Sequence, residues 1–488
     1  MNFSKALQNE SRKTYTENGA TAYNTTGDAL LDFFGSAGSL RTADSSRITR
    51  LFADAYLENP LLATKALFYV RDIREGLGER ETFRIILKYL ADKHPEALRK
   101  NIRYIGEYGR YDDLYVLVGT KLESVMWKYM KEQLREDESN MRAGKSVSLL
   151  AKWMKTPDAS SHETRRLGAL TAKNLGFTIK GYKKKLRKLR KYIEVTEVSM
   201  SANKWRNIKY DNVPSRAMTL YRNAFARHDE KRFSEYLNSV EKGTAKINAS
   251  TLYPYDIIEK YLVNCRWSLG IRKEDRLLEA QWKALPNYLS EPANAIVIAD
   301  TSGSMYGRPI CSSVGLAIYF AERNTGAYHN MWMNFSDHPT IQRLHGETLE
   351  QKLKSIDSHN WSGSTNLEAA FNLILDIAKK NNVSSDEMVK SIIVISDMEI
   401  NYCSGSWSFY DEMRRRYKNA GYDIPNVVFW NVASRNDVFH ADKNRKGVQL
   451  CSGQSASTFK TLMASIGMTP VEMMMKVLNS ERYKNITM

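Results

Sequence analysis

From about Ser45 to Leu285 the apolar residues return at helical spacing, and few runs alternate as a strand would. The pattern predicts one helix over Ser46–Leu57. A second opens at Asn59-Pro60, with Asn as cap and Pro in the first turn, and runs to Arg74. Gly76 and Gly78 in EGLGER break the run; Glu79–Lys93 then carries Phe83, Ile86, Leu87 and Leu90 on one face, and Pro95 opens a short helix. Successive helices of this kind fold as antiparallel hairpins. Residues 1–44, rich in Ser, Thr, Asn and Gly, predict an extended arm with a short apolar insert, Leu30–Phe34.

Near Ala293 the period changes. NAIVIAD, HNMWMNFS, SIIVISD, NVVFWNV and GVQLCSG are short β-branched or aromatic runs, with helical segments such as Ile310–Asn324 and Leu367–Lys380 between them. That alternation predicts a mainly parallel sheet covered by helices on both faces. The fold class is therefore α plus α/β, divided as an arm (1–44), a helical domain (45–292) and an α/β domain (293–488). A chain of 488 residues has room for such a division.

Charge adds a second layer. The net charge of +17 is not spread evenly: residues 293–488 hold 20 Lys+Arg against 19 Asp+Glu, whereas Arg142–Arg232 alone holds 23 against 7. An excess of 16 within 91 residues points to a polyanionic partner, because clustered cations release counterions from phosphates. Ile179–Ile193 places Ile179, Tyr182, Leu186, Leu189 and Ile193 on one helical stripe, leaving Lys183, Lys184, Arg187, Lys188, Arg190 and Lys191 mostly off it. Lys204, Trp205, Arg206, Lys209 and Tyr210 mix cations with rings, a combination that grips phosphate while stacking an unpaired base. Single-stranded or irregular RNA fits this pattern; a solvated helix face or an acidic protein surface is the competing reading.

The first strand of the α/β half ends in Asp300-Thr-Ser302-Gly-Ser304. In open α/β sheets ligands bind beyond the carboxyl ends of strands, and one carboxylate with two hydroxyls supplies the small oxygen donors a hard cation prefers. Trp361-Ser-Gly-Ser-Thr365 precedes the helix at Leu367, and Ser391–Ser396 runs into Asp397. The set Asp300, Ser302, Ser304, Thr365 and Asp397 resembles the metal-ion-dependent adhesion site of von Willebrand A domains at all five positions. The resemblance implies that Ser302, Ser304 and Thr365 contact Mg2+, or another divalent cation, through hydroxyls. Asp300 and Asp397 act directly or through water. Mg2+ prefers six oxygens and keeps exchangeable water, so an acidic group of a protein partner has a position to take.

Other chemistry is absent from the pattern. No second-metal cluster or general base accompanies the site, so catalysis is not expected. His329, His338, His345 and His359 lack ligand spacing. GKSVS at Gly144–Ser148 lacks both the earlier glycine and the preceding strand of a phosphate loop. Cys265, Cys311, Cys403 and Cys451 are widely separated, which suggests free thiols in a reducing cytoplasm rather than a disulfide framework or zinc site. No run is long and apolar enough for a membrane span, and MNFSKALQNESRKTY lacks a signal-peptide core.

Finally, NGATAY (18–23), LFYVRDIREGLGER (67–80), GRYDDL (109–114), SLLAKWMKTP (148–157), YKKKLRKLR (182–190), SDMEI (396–400), FWN (429–431) and LCSGQS (450–455) together resemble a family of uncharacterised phage and giant-virus proteins. That family is similar in layout to the TROVE proteins, typified by the Ro autoantigen. The resemblance implies a ring of HEAT-like helices closed by a von Willebrand A domain, single-stranded RNA ends in a basic central hole and duplex RNA on a basic outer surface. The expectation is an RNA-binding ribonucleoprotein component, not an enzyme. The alternative is a metal-dependent protein-interaction scaffold.

Overall fold

The fold is seen in a computed structural model, which describes residues 7, 10–289, 291–335, 338–356, 365–403 and 408–488. Helix Ser45–Glu58 starts behind Asp44, whose carboxylate accepts the Arg47 N–H, and helix Pro60–Arg71 behind Asn59, whose side chain accepts that of Leu62. The second helix stops three residues short of the predicted Arg74. Asp72 leaves helical backbone there, and the N–H groups of Leu77, Gly78 and Glu79 turn back to the carbonyls of Tyr69, Asp72 and Val70. A Cβ on Gly76 would lie 2.1 Å from the Tyr69 carbonyl oxygen, which is why this knot needs glycine. Helices Glu81–Lys93, Glu123–Arg142, His162–Leu175, Ile179–Tyr192, Ser215–His228, Glu230–Glu241 and Pro254–Tyr261 continue the half.

Two small antiparallel pairs interrupt the predicted all-helical and extended stretches: β1 (Lys13–Tyr15) with β2 (Thr21–Tyr23), and β3 (Leu262–Val263) with β4 (Arg266–Ile271). The segment expected as an extended arm is instead folded into the body. Leu30–Phe34 lies in the buried helix Ala29–Ser36: Asp28 caps it, Leu30, Leu31, Phe33 and Phe34 enter the core, and the buried Asp32 between them accepts from Thr25 and Thr26.

The α/β half forms one six-stranded sheet from β5 (Ala295–Asp300), β6 (Met331–Phe335), β7 (Ile341–Arg343), β8 (Ser391–Ser396), β9 (Asn426–Asn431) and β10 (Val448–Ser452). Their order is β10-β9-β8-β5-β6-β7; every pairing is parallel except β6 with β7. The chain therefore leaves β5 toward one edge and returns on its other side at β8. Helices Arg308–Arg323, Leu367–Lys380 and Phe409–Asn419 make the connections. No helix among the described residues is long and apolar enough to cross a membrane.

Alternation along the strands sorts the core into two layers. Ile296, Ile298, Ile392, Val394, Val427 and Phe429 join a cluster that runs on through Phe33, Phe52, Phe68 and Tyr108 of the helical half. Val297, Ala299, Ile393, Ile395, Val428 and Trp430 join another, which contains Ile257, Ile258, Tyr261 and Trp282. A third, smaller cluster holds Tyr210, Phe225, Phe233 and Leu237. The C-terminal tail locks onto the helical half as well. Arg482 forks onto the fully buried Asp72, and the Thr487 N–H donates to Asn101 Oδ1.

At Gly38 the halves approach each other backbone to backbone. The Gly38 N–H donates to Ser452 Oγ at 2.9 Å, and a Cβ on Gly38 would lie 2.6 Å from Gly453 Cα. Gly38→Ala is expected to lower stability by about 1–3 kcal/mol in urea unfolding, since backbone cannot move aside as a flexible side chain does. An unchanged midpoint would mean the two segments do not meet.

Candidate functional site

The reversal of strand order falls between β5 and β8, where the connections leave the sheet in opposite directions, the position at which open α/β sheets form a binding crevice. Asp300 ends β5, and Asp397 follows β8 directly. The Asp300 carboxylate accepts the Ser302 N–H on Oδ1 at 2.9 Å and the Ser396 hydroxyl on Oδ2 at 2.6 Å. The hydroxyls of Ser302 and Ser304 lie 3.1 Å apart in the 3-10 turn Gly303–Met305. Asp397 accepts the Glu399 N–H on Oδ1 at 3.1 Å, with Met398 between them held at φ +68°, an unusual value for a side chain of that size. Thr365 is tied to the same loop: its N–H donates to Asn401 Oδ1, and the Asn401 N–H donates to the Thr365 carbonyl.

All five predicted oxygen donors thus gather on adjoining loops. The stretch 361–364 of the motif around Thr365 lies outside the described residues, as does His359. Burial, and then the neighbouring Asp397 charge, push the Asp300 carboxyl up to about 7. A buried carboxylate pair with facing hydroxyls is a donor set that suits a small hard cation. Among the described residues no group of three or more His, Cys, Asp or Glu forms a metal cage, so hydroxyl oxygens are indispensable to such a site.

Sequence reasoning missed what covers this crevice. Arg435 spans the Asp397 Oδ2 at 2.9 Å and Glu17 Oε2 at 2.8 Å. Glu17 belongs to the N-terminal segment. Its N–H donates to Glu399 Oε2, the Thr16 hydroxyl to the Ile400 carbonyl and the Tyr402 N–H to the Asn18 carbonyl. Residues 16–19, which run into the NGATAY motif, are therefore a strap across the SDMEI loop.

A second feature is a cavity of 1380 Å³ between the helical half and the start of helix Arg308–Arg323. Eleven Lys or Arg and five Asp or Glu line it. Of the predicted basic residues Lys183, Arg187 and Arg190 reach it; Lys183 pairs with Asp158, and Arg190 donates to the Ala151 and Met154 carbonyls. Lys184, Lys188 and Lys191 are exposed outside it, and Arg206 and Lys209 line a separate groove of 620 Å³. Lys204 is also exposed and lines neither.

Most of the cavity's cations come from outside the basic segment: Arg41, Arg71, Arg74, Arg80, Arg110 and Arg308. Several lie flat on rings, Arg110 at 3.8 Å over Trp153 and Arg308 at 4.8 Å over Tyr255. Such stacking orients a guanidinium while leaving its edge donors available. Trp205 and Tyr210 differ from the expected base platforms. Trp205 stacks on His228 at 4.6 Å with its Nε1–H on Asn203, and Tyr210 is buried with its hydroxyl on Asp229. Tyr210 is thus part of the core, and Trp205, half-buried, packs against it.

Two family models match the chain: the domain of unknown function DUF2828 over residues 16–132 and 156–294, and the domain of unknown function DUF7788 over 294–486. An uncharacterised protein of Acanthamoeba polyphaga mimivirus is 30% identical over 511 aligned positions, spanning 95% of this chain and 87% of its own length.

The raised Asp300 carboxyl sets a pH dependence. Folded, it keeps its proton up to about 7, whereas unfolded it ionises near the ordinary value of 3.8, so its contribution to stability declines as pH rises between those values. In EDTA, wild type is expected to lose several degrees of melting temperature from pH 5 to pH 8 relative to Asp300→Asn. Parallel melting curves for the two proteins would refute it.

Proposed function

Since the chain belongs to the DUF2828 family, a grouping defined by a domain of unknown function, we propose that it is an RNA-binding protein built on a plan similar to the TROVE proteins. In this reading HEAT-like helices close against a von Willebrand A-type domain, and single-stranded or irregular segments of a small RNA enter the basic cavity between them. The protein binds without turnover.

The carrying observation is the cavity. At 1380 Å³ it exceeds the roughly 300–1,000 Å³ of a small-molecule pocket, which suits a few residues of a polymer. Its cations outnumber its acids by eleven to five. Arg187 and Arg308 carry no ion pair among the described residues, so their charge is available to a phosphate. The exposed apolar side chains of Leu149 and Leu220 on the same lining offer surface to bases. The exposed Lys184, Lys188 and Lys191 extend positive charge outside, where a duplex portion of the same RNA can lie.

Asp300, Ser302, Ser304, Thr365 and Asp397 are the residues that would hold Mg2+ in this reading, and the ion would offer an open position to an acidic group. A metal-dependent protein scaffold is the second reading. The Glu17–Arg435–Asp397 chain favours it, because a carboxylate already reaches this rim. A pull-down with Asp300→Ala beside wild type separates the two: a protein partner lost with the substitution supports the scaffold, and unchanged partners exclude it.

For RNA, filter binding of an unstructured oligonucleotide over a salt series is expected to weaken steeply. Arg187→Glu combined with Arg308→Glu should cost at least about tenfold in affinity and flatten the log–log salt slope by about 1.4, two contacts at the single-strand coefficient. Absent or salt-independent binding by wild type would overturn the proposal.

A further inference from the structure

Four cysteines are scattered along the sequence, yet the fold brings two of them together. Helix Pro254–Tyr261 packs along helix Arg308–Arg323; a Cβ on Gly315 would lie 3.2 Å from Ile258 Cγ1. From the end of the first helix hangs the β3–β4 hairpin, whose turn residues Asn264 and Cys265 both take left-handed backbone, at φ +52° and +54°. Paired positive φ values make the tight turn that joins two strands with the right twist. Glycine is the usual second residue of such a turn, so a cysteine there is held against its steric preference.

That turn faces the start of helix Arg308–Arg323. Cys265 packs against the core cluster that contains Cys311, and the two thiols are neighbours. The following residue, Arg266, places its guanidinium 5.3 Å from the ring of Tyr306, which lies in the loop joining Ser304 to the helix. Two independent contacts therefore dock one hairpin tip on one helix start. The exposures differ: Cys265 is half-buried and Cys311 fully buried, where burial and the adjacent Cys265 hold its thiol protonated. Cys403 and Cys451 are buried with no thiol beside them among the described residues.

We propose that Cys265 and Cys311 form a reversible dithiol–disulfide site that a peroxide closes. The accessible Cys265 sulfur attacks a peroxide oxygen, the O–O bond breaks, and a sulfenic acid and one water result. The Cys311 sulfur then attacks the Cys265 sulfur; the S–S bond forms, the S–O bond breaks, and the hydroxide leaves as water with the Cys311 proton. Two thiols lose two electrons and two protons in all, and hydrogen peroxide becomes two waters. A small thiol such as glutathione reopens the bond by exchange. The cross-link would fix the hairpin to the helix that starts at Arg308 and follows the loop carrying Ser302 and Ser304, whatever the cavity or the metal-site loops bind.

The full chain, freshly reduced and then exposed to hydrogen peroxide, is to be alkylated and digested without reductant for mass spectrometry. The expected product is a Cys265–Cys311 cross-linked peptide, with the count of titratable thiols halved and restored by dithiothreitol. In Cys265→Ser no cross-link forms and Cys311 remains a thiol. The proposal is overturned if all thiols survive peroxide in wild type, if Cys265 stops at sulfenic or sulfinic acid beside a free Cys311, or if the bond joins two chains or another pair.

Discussion

A parallel sheet that is apolar on both faces requires two covers, and in this protein both covers reach into the helical half. Side chains alternate between the layers strand by strand, Ile296 and Ile298 to one side, Val297 and Ala299 to the other. The first side is continuous with the helices around Phe33, Phe52 and Phe68, and the second with Ile257, Ile258 and Trp282. The helical segments preceding the sheet are thus not a separate body beside it. They clamp it, and the gap the clamp leaves between its helices and the start of helix Arg308–Arg323 is the basic cavity.

The same arrangement explains how so many cations tolerate one another. Where they are deeply placed they are neutralised: Arg71 on the buried Asp113, Arg41 on Glu79 and Gln454. Burial raises the Glu79 carboxyl, but the Arg41 guanidinium works against it. Nearer the open space aromatic faces take over from carboxylates, as with Arg110 on Trp153 and Arg308 on Tyr255. Positive charge is thereby carried inward from a neutral framework without leaving ions stranded.

The sequence made the regular elements legible because their patterns are local. Helix Leu367–Lys380 and strands β5, β8 and β9 fall where periodicity places them; the order of the strands, which brings Asp300 and Asp397 to neighbouring carboxyl ends, is set only by folding. What stayed hidden was assembled from distant pieces. Arg71, Arg74, Arg80 and Arg110 sit among acids in LFYVRDIREGLGER and GRYDDL, so a count of local charge passes over them, and only folding puts the acids behind and the guanidiniums in front. Trp205 looked like a base platform because its neighbours are cations; nothing local says that His228 will lie against it. The pairing of Cys265 with Cys311 likewise depends on a hairpin that no alternation announces.

The strap at residues 16–19 has a cost in time. Thr16 bonds to Ile400, 384 positions further on. At about 5–20 residues per second of synthesis, the strap emerges about 20 to 80 s before its binding loop exists. Through that interval the apolar helix Ala29–Ser36 has neither β10 nor helix Pro470–Leu478 to rest on. The nascent chain must therefore keep a greasy leading segment apart from its neighbours on the same message until the last strand is made.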